Sequence, residues 1–339
     1  MSRSRFLPDN FTLSLVAVVV IATVLPCSGA VARGFEWLTT AAIALLFFLH
    51  GAKLSREAVI AGALHWRLHL LVVACTFALF PLLGWALKPV LSPLVTPDIY
   101  TGILFLCVLP ATVQSAIAFV SVARGNIPAA ICSASASTML GVFITPFLVN
   151  LLVVPSSGGS GPGLDAIARI LLQLMLPFVL GHLSRRWTAG FVKRHAARLK
   201  YVDQGSILLV VYTAFSAAVI EGLWSRVPPG ALAGLVIACC VLLALALAIT
   251  TYGSRALGFS KEDEITIVFC GSKKSLASGV PMAKVLFASH AVGAIVLPLM
   301  LFHQIQLMVC AVLAQRYARR AVPPSAGEAE PTAAPLRTG

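Results

Sequence analysis

Residues 265–287 read ITIVFCGSKKSLASGVPMAKVLF, a stretch long enough to cross a bilayer with two adjacent lysines near its centre. About 20 helical residues cross a hydrocarbon core, and a central lysine facing lipid costs roughly 2.5–3.5 kcal/mol. Lys273 and Lys274 are therefore predicted to face protein or a wet cavity. Gly271 and Pro281, with serines between them, predict an interrupted helix. A broken, charged span is typical of the substrate site of a secondary transporter.

The composition of the whole chain predicts a polytopic membrane protein. Of the 339 residues, 59% are hydrophobic and 11% are charged, and the mean hydropathy is +0.94. Soluble domains carry about 25% charged residues. The net charge of +13 does not indicate a nucleic-acid partner, because the basic residues lie in alternate loops, as membrane orientation requires. The predicted partners are the lipid bilayer and a transported small molecule, not a nucleic acid.

Apolar runs predict ten spans, at about 11–28, 36–53, 67–87, 99–121, 127–153, 165–183, 202–222, 231–252, 265–287 and 291–314. With the N-terminus inside, seventeen Lys and Arg residues fall on the cytoplasmic side, including a basic loop at 185–200. Five fall on the other side: Arg33, Lys88, Arg169, Arg226 and Lys284. This bias predicts a multi-pass protein of the cytoplasmic (inner) membrane with both termini cytoplasmic.

A Gly/Ser/Pro-rich segment near the middle divides the ten spans into two halves of five. Because five is odd, the second half enters the membrane in the opposite orientation, which predicts an inverted repeat. The first apolar run resembles a signal peptide, but its removal would spoil this repeat, so we expect an uncleaved helix. The predicted units are a first repeat (1–153), a linker (154–164), a second repeat (165–315) and a disordered cytoplasmic tail (316–339).

Span four contains the interruption that the repeat predicts as the partner of span nine. Pro110 and the polar residues Thr112, Gln114 and Ser115 lie inside an otherwise apolar run. Matched interruptions in two halves indicate a transport site. These polar groups either bind substrate or pair with backbone groups that Pro110 frees.

Further candidates for the substrate site flank these two interruptions. In span five, Ser133 and Ser137 are one helical turn apart and either line the site or permit close helix packing. His303, with Gln304 and Gln306, in span ten either reaches the cavity or forms interhelical hydrogen bonds. The full predicted set is Lys273, Lys274, Ser272, Ser275, Gly271, Thr112, Gln114, Ser115, Ser133, Ser137, His303 and Gln304.

Two functional roles are open to the adjacent lysines. An ammonium group could stand in place of a bound cation, or the pair could bind an anionic substrate. Repulsion between adjacent like charges also favours loss of one proton, so a proton-coupled cycle is a third option. If the two lysines have no functional role, the segment is instead a short cytoplasmic re-entrant loop in which both lysines are exposed.

Three strings resemble the bile acid:sodium symporter superfamily, in particular its SBF-like branch. They are FCGSKKSLASGVP (269–281), LPATVQSA (109–116) and CSASASTMLG (132–141). The resemblance implies an all-α protein with ten transmembrane helices in two inverted five-helix repeats. It also implies a panel domain of spans 1, 2, 6 and 7, a core of spans 3–5 and 8–10 with crossing broken helices 4 and 9, and transport by alternating access.

The resemblance also implies where sodium would bind, and the sequence departs there. Sodium-coupled members carry an acidic residue and a Gln-Asn pair in span nine, which align with Phe269, Lys273 and Lys274 of this chain. The Asn of span four aligns with Ala116. Sodium requires oxygen ligands, so the sequence argues against sodium coupling, while proton coupling stays open.

Enzymatic motifs are absent from the sequence: it has no HExxH, GxSxG or Walker A string. The eight cysteines form no C-x-x-C pair and indicate neither disulfides nor a metal site. We therefore expect a secondary transporter of a small organic anion, with no cofactor. The alternative is a membrane regulator or receptor that keeps the fold without transporting, and an intramembrane hydrolase is a distant third.

Overall fold

The computed structural model describes residues 10–53, 65–153, 164–287 and 292–320, and these residues are almost entirely helical. The helices are α1 Asn10–Val24, α2 Gly29–Lys53, α3 Trp66–Ala86, α4 Pro97–Val108, α5 Gln114–Val122, α6 Ile127–Leu148, α7 Leu164–Arg194, α8 Ala196–Ile220, α9 Pro229–Ala256, α10 Lys261–Gly271, α11 Leu276–Leu286 and α12 Val292–Ala318. Short helical turns at Lys88–Leu91, Ser92–Leu94 and Leu223–Arg226 lie in the connections.

Six helices in the described part of the chain are long and apolar enough to cross a membrane. They are α2, α3, α6 with the π-turn that follows it, α8, α9 and α12. Helices α1 and α4 contain shorter apolar segments. An all-helical chain with this many apolar helices is a multi-pass membrane protein.

The interruptions predicted in spans four and nine are present. Helix α4 ends at Val108, and α5 begins at Gln114. Pro110 accounts for the first end, because the residue before a proline is excluded from the helical region, and Leu109 is extended. Helix α10 ends at Gly271, and α11 begins at Leu276, where the Ser275 hydroxyl caps the new helix by accepting from Ser278 N (3.2 Å).

The prediction of a basic loop at 185–200 is wrong, because helices occupy this segment. Helix α7 continues to Arg194, and α8 begins at Ala196, so only His195 separates them. The segment is rich in Arg, Lys and Ala, which favour helix, and positive charge by itself does not interrupt one. Near the start of α8, Asp203 forms an ion pair with Lys53 at the end of α2.

Helices α2 and α7 pack backbone against backbone through two glycines. A Cβ atom on Gly51 would lie 2.0 Å from the carbonyl oxygen of Phe178, and one on Gly181 would lie 2.0 Å from that of Phe48. Small residues allow such close approach between membrane helices. Helix α8 packs against both α1 and α2, so these four helices form one contiguous group.

Two predicted units fall mainly outside the described residues. The linker at 154–164 is described only from Leu164, where α7 begins, and residues 321–339 of the predicted tail are not described. Helix α12 ends at Ala318, so the first residues of that unit are helical.

Replacement of Gly51 by alanine is expected to destabilise the protein. The added methyl group would meet a backbone carbonyl that cannot move without separating α2 from α7, and overpacking of this kind costs about 1–3 kcal/mol. The measurement is thermal unfolding of the detergent-purified protein. Gly190→Ala in α7 is the matched control, since nothing lies within 4 Å of its Cβ position and alanine favours helix. Equal melting temperatures for the two variants would contradict the packing argument.

Candidate functional site

A π-turn in α3 leaves one backbone carbonyl without a helical partner. Cys75–Leu79 form a π-turn, in which an N–H donates to the carbonyl five residues earlier, as Phe80 N does to Cys75 O. In this register the carbonyl of Thr76 would pair with residue 81, which is Pro81 and has no N–H. The Thr76 carbonyl is therefore available to another donor.

The end of α4 supplies two more free carbonyls, and Lys274 pairs with all three. Its ammonium group donates to the carbonyl oxygens of Thr76, Cys107 and Leu109, each at 2.8 Å. It also lies 4.3 Å from the centre of the Phe80 ring. Lys274 is fully buried. An ammonium group has three N–H donors, so every one is used.

Three other backbone groups at the break in span four are also paired. The Val108 carbonyl accepts from the Thr145 hydroxyl (2.9 Å), and the Pro110 carbonyl accepts from Ser275 N (2.9 Å). Ala111 N donates to the Ser137 hydroxyl (2.9 Å). The contact between Ser275 and Pro110 joins the break in span four directly to the break in span nine.

The break in span nine is held by a side chain of α12. Gln306 accepts from Lys274 N (2.9 Å) and donates to the Lys274 carbonyl (2.9 Å), so its amide pairs with both backbone groups of one residue. The amide nitrogen also contacts His303 Nδ1 (2.9 Å). Gln306 is fully buried, and His303 lies one helical turn before it.

Lys273 is fully buried as well, but its surroundings differ from those of Lys274. Its ammonium group lies 3.3 Å from the Ser115 hydroxyl and 3.8 Å from the centre of the Phe119 ring, and 5.9 Å from that of Phe269. The Ser115 hydroxyl also contacts the Thr112 hydroxyl (2.8 Å). Among the described residues, Ser115 is the one hydrogen-bond partner of this ammonium group, so two of its N–H groups are unused.

Four of the predicted residues have structural contacts at or near the breaks. Ser272 donates to the Val268 carbonyl (2.6 Å) in the last turn of α10. Ser275 caps α11, and a Cβ atom on Gly271 would lie 3.2 Å from Cys75. Ser133 contacts His69 Nδ1 (2.7 Å). The two serines of α6 therefore have different partners, since Ser137 pairs with the break itself.

Two predicted residues line other cavities. Gln114 is exposed and lines a cavity of about 370 Å³ together with Lys53, Arg185 and Lys200. Gln304 lines a groove of about 1630 Å³ along α9 and α12, which Phe119 also lines. The hydrogen bonds around the two breaks thus bring the lysine pair together with Thr112, Ser115, Ser137, Ser275 and His303.

Several residues that form this centre were not in the predicted set. They are Thr76, Phe80, Phe119 and Thr145. Gln306 belongs to the polar group predicted in span ten, and its amide pairs with the backbone of Lys274. Thr76 contributes its backbone carbonyl, which side-chain chemistry in a sequence does not reveal.

Comparison with known proteins identifies the family. The profile of the SBF-like CPA transporter family matches residues 9–319. The chain belongs to this family.

Three relatives show the range of similarity. The chain is 72% identical over 320 residues to uncharacterized protein PA2026 of Pseudomonas aeruginosa, covering 94% of this chain and 96% of the relative. It is 58% identical over 317 residues to the Escherichia coli protein named "Putative symporter YfeH", covering 92% and 93%. It is 28% identical over 275 residues to rat sodium/bile acid cotransporter 7, covering 80% of each.

The match confirms the resemblance drawn from the three sequence strings. The chain belongs to a family of membrane transporters, not to a class of enzymes. Within the described residues, no group of three or more His, Cys, Asp or Glu side chains could hold a metal ion. All eight cysteines are free thiols.

Replacement of Gln306 by leucine is expected to lower the melting temperature. The change leaves both the N–H and the carbonyl of Lys274 buried without a partner, and each unpaired group costs about 1–3 kcal/mol. The control is Gln315→Leu in the same helix, whose side chain has no hydrogen-bond partner among the described residues. Thermal unfolding in detergent compares them, and an unaffected Gln306 variant would show that the break is held by other contacts.

Proposed function

We propose that the protein is a secondary transporter that moves a small organic anion across the cytoplasmic membrane by alternating access, with its substrate site between the breaks at 109–113 and 272–275. The observation that carries the proposal is the unequal hydrogen bonding of the two buried lysines. Lys274 uses all three N–H groups on backbone carbonyls, whereas Lys273 uses one. The two positive charges therefore have different roles.

In this proposal Lys274 takes the place of a coupling cation. Its ammonium group lies among three carbonyl oxygens, the type of ligand that a hard cation such as sodium prefers. The group is covalently attached and cannot leave. The names of the rat and E. coli relatives refer to a sodium cotransporter and a symporter. For this chain, the filled carbonyl site favours a cycle that does not require sodium.

Lys273 would provide the positive charge that recognises the anion. A buried ammonium group is stable only when its charge is compensated, and the single hydrogen bond to Ser115 leaves two donors for a carboxylate, sulfonate or phosphate oxygen. The nearby Thr112 hydroxyl supplies a further polar contact. Exchange of a proton at Lys273 is the coupling reaction that this arrangement offers.

The proposed architecture is ten transmembrane helices in two inverted five-helix repeats, with both termini in the cytoplasm. Three observations support it: the interruptions fall in the predicted fourth and ninth spans, they contact each other through Ser275 and Pro110, and α1, α2, α7 and α8 pack together. The last group corresponds to predicted spans 1, 2, 6 and 7, the panel of the proposed fold. The core would then move the substrate site past this panel.

The test compares Lys273→Met with Lys274→Met in thermal unfolding, with and without a panel of organic anions. Lys274→Met leaves three buried carbonyls unpaired, so we expect a loss of about 3 kcal/mol or more without any ligand. Lys273→Met removes a poorly compensated charge, so the unliganded protein should be as stable as wild type or more stable. It should lose the stabilisation by anions, which is about 2.7 kcal/mol for wild type at 100 times the dissociation constant.

Each measurement is made in sodium and in potassium, with Lys284→Met as the control. Lys284 pairs with the exposed Glu36 at 3.4 Å, so its loss should change neither stability nor anion binding. We expect equal stabilisation by the anion in both salts. Stabilisation in sodium alone would contradict the role given to Lys274. Binding without saturable uptake in proteoliposomes would favour the non-transporting receptor.

A further inference from the structure

The groove of about 1630 Å³ along α9 and α12 combines an apolar wall with a strongly basic end. The apolar wall is formed by Leu247, Leu307, Met308, Ala311 and Val312. Met308 is 63% exposed and Val312 41% exposed on a helix long and apolar enough to cross a membrane, so this side of α12 faces lipid. The groove is therefore open to the bilayer, not to an aqueous cavity alone.

The basic end of the groove lies where α9 and α12 leave the predicted membrane. Five cationic side chains line it: Arg255, Lys261, Arg316, Arg319 and Arg320. The distribution of Lys and Arg along the chain assigns this end to the cytoplasmic side. Along α12, Gln304 at the deep end and Arg316 at the basic end are twelve residues apart, or about 18 Å. That length is close to half of a hydrocarbon core of about 30 Å, the depth of one leaflet.

Three of these cations already have carboxylate partners. Arg255 and Lys261 pair with Glu264 at 3.0 and 2.7 Å, and Arg320 pairs with Glu262 at 2.7 Å. The Tyr317 hydroxyl also donates to Glu264 (2.9 Å). These contacts fix the positions of the side chains and leave a local excess of positive charge.

Arg316 and Arg319 have no carboxylate partner within the described residues, and both are exposed. They lie three residues apart on α12, on the same face as the groove. Guanidinium groups bind phosphate through paired hydrogen bonds. Two free guanidinium groups above an apolar groove one leaflet deep match the headgroup and acyl chain of a phospholipid.

We propose that this groove is a binding site for an anionic phospholipid of the cytoplasmic leaflet. The phosphate would pair with Arg316 and Arg319, and one acyl chain would lie along Leu307, Ala311 and Val312 towards Phe119. Basic pockets between membrane helices on the cytoplasmic side bind anionic headgroups in this way. The deep end of the groove reaches Phe119, whose ring lies against Lys273, but the arginines that would bind the phosphate are at the opposite end. Lipid binding is measured directly, so the test does not depend on transport.

The test measures lipid binding to the delipidated, detergent-purified full chain by native mass spectrometry. The probes are phosphatidylglycerol, phosphatidylcholine with the same acyl chains, and soluble glycerol phosphate. Wild type should bind phosphatidylglycerol more tightly than phosphatidylcholine. Arg316→Gln/Arg319→Gln should weaken phosphatidylglycerol binding about 30-fold, since each of the two basic residues near the surface contributes about 1 kcal/mol. Ala311→Trp, which fills the groove, should weaken binding with the charges intact.

The control is Arg186→Gln/Arg198→Gln, which removes two exposed arginines that do not line the groove. It should leave lipid binding unchanged, and melting temperatures verify that every variant is folded. Equal binding of the two lipids, or equal loss in the control, would overturn the proposal. Binding of glycerol phosphate as tight as that of the lipid would identify a site for a soluble phosphate instead. A change in oligomeric mass without a change in lipid binding would identify an interface between copies of the chain.

Discussion

The structure depends on one constraint: a backbone carbonyl in the interior of a membrane protein has no water to pair with. Pro81 lacks the N–H that would pair with Thr76 in the π register, and the end of α4 at Pro110 leaves the carbonyls of Cys107 and Leu109 without helical partners. The three carbonyls converge on one point. Three acceptors around one point require either a cation or a set of donors. Lys274 supplies both, and so joins α3, the end of α4 and the break in span nine.

Lys273 and Lys274 are adjacent in sequence, but their ammonium groups lie in different environments. Lys274 is enclosed by acceptors, whereas Lys273 lies against Phe119 and Phe269 with one hydroxyl nearby. The two lysines have different partners because they are successive residues of the irregular segment 272–275, and their side chains lie on different sides of the break. A charge that is fully compensated stabilises the fold, and one that is not is available for a ligand. This division underlies the proposed mechanism.

The sequence was sufficient for the features that follow from local chemistry. Apolar runs gave the helices, and Pro110 and the adjacent lysines marked both breaks before any contact was known. The partner of each group does not follow from the sequence, because Thr145 lies in a helix whose position depends on packing between distant parts of the chain. Gln114 shows the same limit: it is adjacent to Ser115 in sequence, but its side chain is exposed and lines a different cavity. In the segment 185–200, the run of positive charge predicts a loop, whereas the helix propensity of the same residues agrees with the observed helices.

The permanence of the Lys274 ammonium group has an energetic consequence. A sodium ion that binds on one side of a membrane and leaves on the other delivers the free energy of its gradient to the transported molecule. A charge attached to the chain returns with the protein in every cycle, so it performs no such work. In the proposed mechanism, Lys274 fills the cation site, so accumulation of substrate against a gradient draws on a proton, on exchange for a second solute, or on the membrane potential acting on the charge of the substrate itself.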